Sequence, residues 1–421
     1  MGLQRPTRGV RLLALVLFLA LAIGACRHAA SDAPLILVSL DGFAARFLAM
    51  GETPTIARLA EQGAHATDGM VPVFPTKTFP NHYTIVTGLY TEHHGIVANN
   101  MYDPELDATF SLSNRDAIRD PRWWGGEPVW VTAERQGVRT APYFWPGSEA
   151  AIGGVRPSYW EPFDGSVPDS VRVDKVLSWL DLPEDRRPRF VTLYSSAVDG
   201  AAHNFGTQSP ELRDALRAVD AAVARLLAGL EARGLAGAVN LVLVSDHGMA
   251  DTSPDRVITI DDYLDLSSIR VSDWSPVAAL WPAEGEHDAV LGVLQGAGRP
   301  WTVYRREEIP ERFHFRAHRR IAPIIAIADD GWAIAQRARL ESRPERYAGA
   351  THGYDHELPS MRALFVATGP AVRPGVDVPP FENVHLYELF CAMLGIEPAE
   401  NDGELAEVAG ILRQSAIGSR Q

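Results

Sequence analysis

At 421 residues, 46% hydrophobic and 22% charged, the chain has an ordinary globular composition, with length for one large domain or two smaller ones. A formal charge of -14 excludes a protein that tracks nucleic-acid backbones, so duplex nucleic acid is not an expected partner. Neither of the two cysteines has metal-site spacing, so any metal must be held by Asp, His and hydroxyl oxygens.

Arg5, Arg8 and Arg11 precede an apolar run from Leu12 to Ile23, which reads as a signal peptide over residues 1–25 and is short for a membrane span. The run ends in Ile23-Gly24-Ala25-Cys26, which resembles a bacterial lipobox with Cys26 as the lipidated residue. A plain cleaved signal is the alternative. Either way the expectation is an exported bacterial protein, periplasmic or tethered to the outer membrane through Cys26. Residues 27–33 read as a tether, 34–400 as one catalytic domain and 401–421 as a C-terminal tail.

The first strand is expected from Leu35, where LILVSLDG is short, rich in branched aliphatics and closed by Asp41. Thr53 to Gln62 reads as a helix, with Thr53 as N-cap, Pro54 at its first position and Gly63 at its end. In VPVFPTKTFPNHYTIVTGLY a turn leads into a short helix around Pro80 to Val86, which puts Thr78 at or just before a helix N-terminus. From Met101 to Pro168 the chain is irregular, with Trp123, Trp124, Trp130, Trp145 and Trp160 among glycines and prolines. Such excursions wall a pocket or simply pack on the surface.

Asp199 and His203 follow the next apolar run, in YSSAVDGAAHNFG, within one loop or one helical turn. Ser209 to Arg233 carries one apolar stripe, from Leu212 through Leu230, and reads as a helix capped by Ser209 and ended by Gly234. It joins the Asp199 strand to NLVLVSDHGM, a buried strand closed by Asp246 and His247, as a crossover long enough for a parallel pair. Further strands are expected near Trp301 to Tyr304, Ile321 to Ala328 and Ala363 to Ala367. A late helix at His385 to Leu394 would hold Cys391 as a core residue. The expected fold is α/β: a doubly wound, mostly parallel sheet, helices on both faces, loop-rich insertions walling the active site.

In such a sheet the carboxyl ends of the strands meet in one crevice. Asp41, Asp199, His203, Asp246, His247 and, in GATHGYDH, His352 would then share one edge, which suggests a binuclear metal site. The mixed oxygen and nitrogen donors suit zinc or a similar transition metal rather than calcium. Any one of these residues could equally serve a turn. Two cations would clamp the attacking and leaving oxygens of a displacement at phosphorus and activate a hydroxyl. Thr78 is the candidate hydroxyl, with a helix cap as its other reading.

KTFPNHYTIVTGLYTEHHGIVANNMYD, the Asp199 to Gly206 loop, LVSDHGM and THGYDH resemble the nucleotide pyrophosphatase/phosphodiesterase family of the alkaline phosphatase superfamily. The likeness runs from about residue 35 to 395, includes WPGSEA and RRIAPI, and fits a bacterial single-domain member. It implies two zinc ions, one on Asp199, His203 and His352, the other on Asp41, Asp246 and His247. It implies Thr78 as metal-bound nucleophile and Asn99, otherwise a turn residue, as donor to a phosphoryl oxygen. Phe79 and Phe163 (the latter where the family carries tyrosine) would flank a nucleobase, with Tyr194 lining the same pocket; each could also be a core aromatic.

The resulting expectation is a zinc-dependent hydrolase of nucleotide diesters and pyrophosphates. It would release nucleoside 5'-monophosphate through a threonine-bound intermediate. The absence of Cys-x-Pro-x-Arg disfavours the sulfatase branch. A headgroup diesterase such as one acting on glycerophosphocholine, whose choline would sit on aromatic rings, is the alternative substrate class. A non-catalytic lipoprotein that captures phosphorylated ligands is the alternative of another kind.

Overall fold

The structure, a computed structural model, describes residues 33–417. The expected signal peptide, Cys26 and all but the last residue of the expected tether lie outside the described residues. Among those described, no helix is long and apolar enough to cross a membrane.

Alternation along the central strands sets the layers. In β1 (Leu35–Leu40), Leu35 and Leu37 enter one core while Ile36, Val38 and Leu40 enter the other. A strand buried on both sides in this way needs cover on both faces. The strands that join it are β2 (Ala64–Ala66), β3 (Thr140–Tyr143), β4 (Phe190–Ser195), β5 (Asn240–Val244), β10 (Phe365–Thr368) and β11 (Val376–Val378). β6 to β9 belong to a second sheet, described below. The order is β11-β2-β10-β5-β1-β4-β3. β3, β4, β1 and β5 are parallel, and β10 runs antiparallel to both its neighbours.

One face is covered by α1 (Pro54–Gln62), α4 (Asp169–Leu180) and α6 (Pro210–Ala232), whose Ile56, Val173, Leu216 and Val219 join a single core. The other is covered by α2 (Thr78–Thr87), α3 (Val129–Arg135) and α8 (Leu386–Leu394), with Ile85, Trp130, Leu389 and the buried thiol of Cys391. The doubly wound expectation holds. The long helix begins where its cap predicts, with Ser209 Oγ accepting the Leu212 N–H at 3.1 Å. Its crossover does not make neighbours, however: β4 and β5 flank β1 on opposite sides.

Two expectations need correction. The strands near 301 and 324 do not extend the parallel sheet. They form a separate antiparallel sheet of β6 (Arg270–Asp273), β7 (Val277–Trp281), β8 (Trp301–Arg305) and β9 (Ile324–Ala328), ordered β6-β7-β9-β8. Its own core is closed by α7 (His287–Gly296) through Val290, Leu291 and Leu294. Short apolar runs carry no mark of which sheet they join. The segment from 401 is also not a loose tail, because Val408, Ile411 and Leu412 are buried in the core beside α8.

Between β2 and β4 the tryptophan-rich excursion is mostly packed interior: Trp123, Trp124, Trp130 and Trp145 are buried. It is pinned by Arg320, whose guanidinium donates to Asp103 Oδ2 at 2.6 Å and to the carbonyls of Gly95, Trp123 and Arg122. Both Arg320 and Asp103 are buried. Arg320→Met is expected to destabilise the protein by about 2–4 kcal/mol, because it leaves three carbonyls without their donor and the buried Asp103 with Arg319 as its one remaining arginine partner. A loss of unfolding free energy smaller than about 1 kcal/mol in a urea titration would show the pair to be dispensable.

Candidate active site

Three strand ends deliver the carboxylates. β1 pairs in register with β4 and β5, so Asp41 and Asp246 emerge at the same edge. Gly42 then turns with φ 69, a left-handed conformation that glycine adopts without strain. Its lack of a side chain also matters, since a Cβ there would stand 2.8 Å from Asp199 Cα. Asp199 N–H donates to Asp41 O at 3.0 Å. Asp199 and His203 occupy successive turns of α5 (Ala197–Phe205), so they share a face. Gly349 crosses His203 at a distance no side chain would allow, bringing the strand that carries Ala350 and Thr351, and then His352, against that helix.

The histidines are oriented from behind. Nδ1 of His203, His247 and His352 lies 2.8, 3.0 and 2.8 Å from the carbonyls of Ala350, Gly248 and Thr76. A carbonyl only accepts, so each Nδ1 carries a proton and each Nε2 turns toward the cluster, the nitrogen whose lone pair a metal would take. Those nitrogens face carboxylate oxygens. His203 and His352 Nε2 stand 3.3 and 3.7 Å from Asp199 Oδ1, and His247 Nε2 stands 3.0 Å from Asp246 Oδ2 and 3.6 Å from Asp41 Oδ1. Asp41 Oδ1, Asp199 Oδ1 and Asp246 Oδ2 are buried without a hydrogen-bond donor.

Acceptors facing acceptors in a buried site call for cations between them, and the donor set fits transition metals. Asp199, His203 and His352 form one group able to hold an ion, as do Asp41, Asp199 and His247. Burial, with Asp246 and Asp199 alongside, pushes the Asp41 carboxyl well above its usual range.

Thr78 opens α2. The N-cap is Lys77, with no side-chain capping bond, so the threonine hydroxyl is not spent on the cap. Its Oγ1 lies 3.5 Å from His247 Nε2. Asn99 Oδ1 accepts the Phe79 N–H at 2.9 Å, which fixes the amide beside the nucleophile's turn and leaves Nδ2 as a donor. Tyr194 donates to Asp41 Oδ2 at 2.6 Å. Its phenol is pushed well up by burial and the nearby carboxylates.

Against the cluster opens a cavity of about 200 Å³ whose wall includes Thr78, Phe79, Phe144, Trp145, Phe163 and Tyr194. Phe163 is 41% exposed at its rim and meets Tyr194 edge-on, with centroids 6.0 Å apart. All eleven residues singled out in the sequence therefore gather within one region.

Sequence reasoning missed several neighbours. His82 lies one helical turn beyond Thr78, donates from Nδ1 to Thr78 O at 2.8 Å and accepts from Ser39 at Nε2. With both nitrogens engaged, it orients Asp246, 3.3 Å away, and leaves no lone pair for a metal. That i+4 spacing from Thr78 was the available signal. Lys77 is buried in an ion pair with Asp273 of the antiparallel sheet, a partner 196 residues away that no local pattern announces. Phe144 joins the aromatic wall from the end of β3.

Comparison with known proteins agrees with this geometry. The model of the type I phosphodiesterase / nucleotide pyrophosphatase family matches residues 35–355. Human ectonucleotide pyrophosphatase/phosphodiesterase family member 1 is 39% identical over 393 residues, covering 90% of this chain and 42% of that protein. A venom phosphodiesterase of Naja atra is 38% identical over 401 residues, covering 92% and 47%. The chain thus spans about half the length of these curated relatives. An uncharacterised pyrophosphatase/phosphodiesterase of Schizosaccharomyces pombe is 39% identical over 382 residues, 87% of this chain and 78% of that one. Among solved structures, murine ectonucleotide pyrophosphatase/phosphodiesterase 5 in complex with AMP superposes with a TM-score of 0.86 at 36% identity, covering 91% of this chain and 100% of that one. The fold is alkaline phosphatase-like, and the chain belongs to the type I phosphodiesterase/nucleotide pyrophosphatase family.

Proposed function

We propose that this protein hydrolyses phosphodiester and pyrophosphate bonds of nucleotides and releases nucleoside 5'-monophosphate. The observation that carries the reading is the position of the Thr78 hydroxyl, uncapped and 3.5 Å from His247 Nε2, where the metal-capable cluster meets the aromatic cavity. The murine relative solved with AMP is an inactive threonine-to-alanine variant, which supports a threonine nucleophile and a nucleotide in such a site.

Asp199, His203 and His352 would hold one zinc ion, and Asp41, Asp246 and His247 the other. When bound, the ions supply Lewis acidity to the oxygens at phosphorus. Thr78 attacks phosphorus, the bond to the leaving oxygen breaks, and the nucleotidyl group rests on the threonine. Water then displaces it and restores the hydroxyl. Asn99 Nδ2 donates to a non-bridging oxygen as charge develops there. Phe79, Phe163 and Tyr194 shelter the base, and a wall rich in rings, whose one lining arginine (Arg115) is paired with Glu149, suits a diester whose extra substituent is flat and apolar. Export and lipidation at Cys26 remain part of this reading, and mass spectrometry of the mature N-terminus reads them directly.

The test is a panel of three chromogenic substrates with zinc present. A nitrophenyl nucleotide diester is expected to be turned over faster than nitrophenylphosphocholine and nitrophenyl phosphate. Faster cleavage of the choline ester would give the site to headgroup diesters, and faster cleavage of the monoester would end the diesterase reading. No turnover of any would leave a binding protein.

A further inference from the structure

We propose that the cavity on the outer side of His203 is a subsite for leaving groups that carry their own phosphate charge, with Arg339 and Arg346 as its specificity-determining cations. The ligand class is a pyrophosphate or the distal phosphates of a dinucleotide. The inference rests on the diesterase reading above and deepens it.

This second cavity, of about 180 Å³, is lined by His203, Trp274, Arg339, Arg346, Tyr347 and Thr351, among others, and shares no lining residue with the aromatic one. Yet the two meet at the cluster. Asp199 lines one and His203 the other, and their facing atoms are 3.3 Å apart. The His203 side chain is 36% exposed, whereas those of His352 and His247 are 8% and 0% exposed, so the cluster opens on this side. Thr78 lines only the aromatic cavity. In an in-line displacement the leaving oxygen departs on the side of phosphorus opposite the nucleophile. A group expelled away from Thr78, past Asp199 and His203, therefore arrives in the second cavity.

The charge there fits an anion. Among the described residues, neither Arg339 nor Arg346 has an ion pair or a side-chain hydrogen bond, although the neighbouring Arg337 is paired with Asp262. Burial raises the Tyr347 phenol above its usual range, and both arginines sit close enough to offset part of that rise. Two unspent guanidinium groups beside one ring offer several fixed donors to phosphate oxygens. A neutral nitrophenyl group has no use for them.

The experiment compares two substrates with the same nucleoside 5'-phosphate and different leaving groups, a nucleoside triphosphate and a nitrophenyl ester. Both arginines are exposed, so the double variant R339A/R346A is expected to fold as the parent does, with an unchanged circular dichroism spectrum. It should lose on the order of 10- to 100-fold in kcat/KM for the triphosphate. Activity on the nitrophenyl ester should stay unchanged, and the double lysine variant should recover part of the loss. Equal losses on both substrates would mean a structural role and overturn the subsite, as would no loss on the triphosphate. A parent enzyme inert toward both would overturn the diesterase reading itself, and the subsite with it.

Discussion

Thr78→Ala is expected to reduce turnover of a nucleotide diester on the order of 10⁴-fold while leaving the fold and the metal content nearly unchanged. The hydroxyl can be removed at little structural cost because it does not cap α2, where the N-cap is Lys77. The orientation of α2 rests on other groups. Asn81 bonds the carbonyls of Val73, Pro75 and Lys77, and Lys77 is paired with Asp273. His82, His247 and the carboxylates also keep their partners in the variant. Thr78→Ser should retain measurable activity, since the oxygen remains and only the methyl that limits its rotation is lost. Rapid-quench capture of a labelled nucleotidyl enzyme would read the step directly. Full activity in the alanine variant would make water the nucleophile and reduce Thr78 to a bystander.

Removal of metal is expected to abolish turnover and to lower the melting temperature, both restored by zinc. The physical reason lies in the three inward carboxylate oxygens of Asp41, Asp199 and Asp246, buried with no donor to satisfy them. An ion present at about 1,000 times its dissociation constant stabilises the fold by about 4 kcal/mol. The sharper form of the prediction concerns Asp41→Asn. That variant should be inactive, yet without metal it should melt above the parent. It removes one of three like charges from a buried site and keeps an oxygen for the Tyr194 hydroxyl, 2.6 Å away in the parent. A metal-free Asp41→Asn protein that melts well below the metal-free parent would show that the carboxylate is structural rather than a ligand kept at a cost in stability.

The cluster also explains why its members could be read from the chain and its supports could not. Asp41 and Asp246 follow runs that β-sheet burial makes apolar on both faces, so their places at the strand ends are written in Leu35–Leu40 and Asn240–Val244 themselves. Asp199 and His203 are four apart, a spacing that means one face once a helix forms. Thr78 was marked by the prolines and the helix pattern around it. His82 carried the same i+4 relation to Thr78, but a histidine inside a short helix has no local feature separating a supporting role from a core one. Phe163 and Tyr194 came from family likeness alone, and what gives them a common cavity with Phe144 and Trp145 is the packing of the excursion between β2 and β4.

By itself, then, the sequence determined the layered α/β architecture, the helix starts at Ser209 and Pro54, and the set of Asp, His and Thr side chains delivered to one edge. These follow from periodicity and turn chemistry, which act over a few residues and leave their pattern in the chain. The tertiary structure alone decided that residues 270–328 form their own antiparallel sheet, that Lys77 is held by Asp273, and that His203 and His352 turn Nε2 inward through carbonyls of distant loops. It alone set Arg339 and Arg346 beside the outer face of His203. Each of these depends on contacts between segments remote along the chain. Which surfaces meet is fixed by the joint packing of all of them, and no short stretch of sequence carries that information.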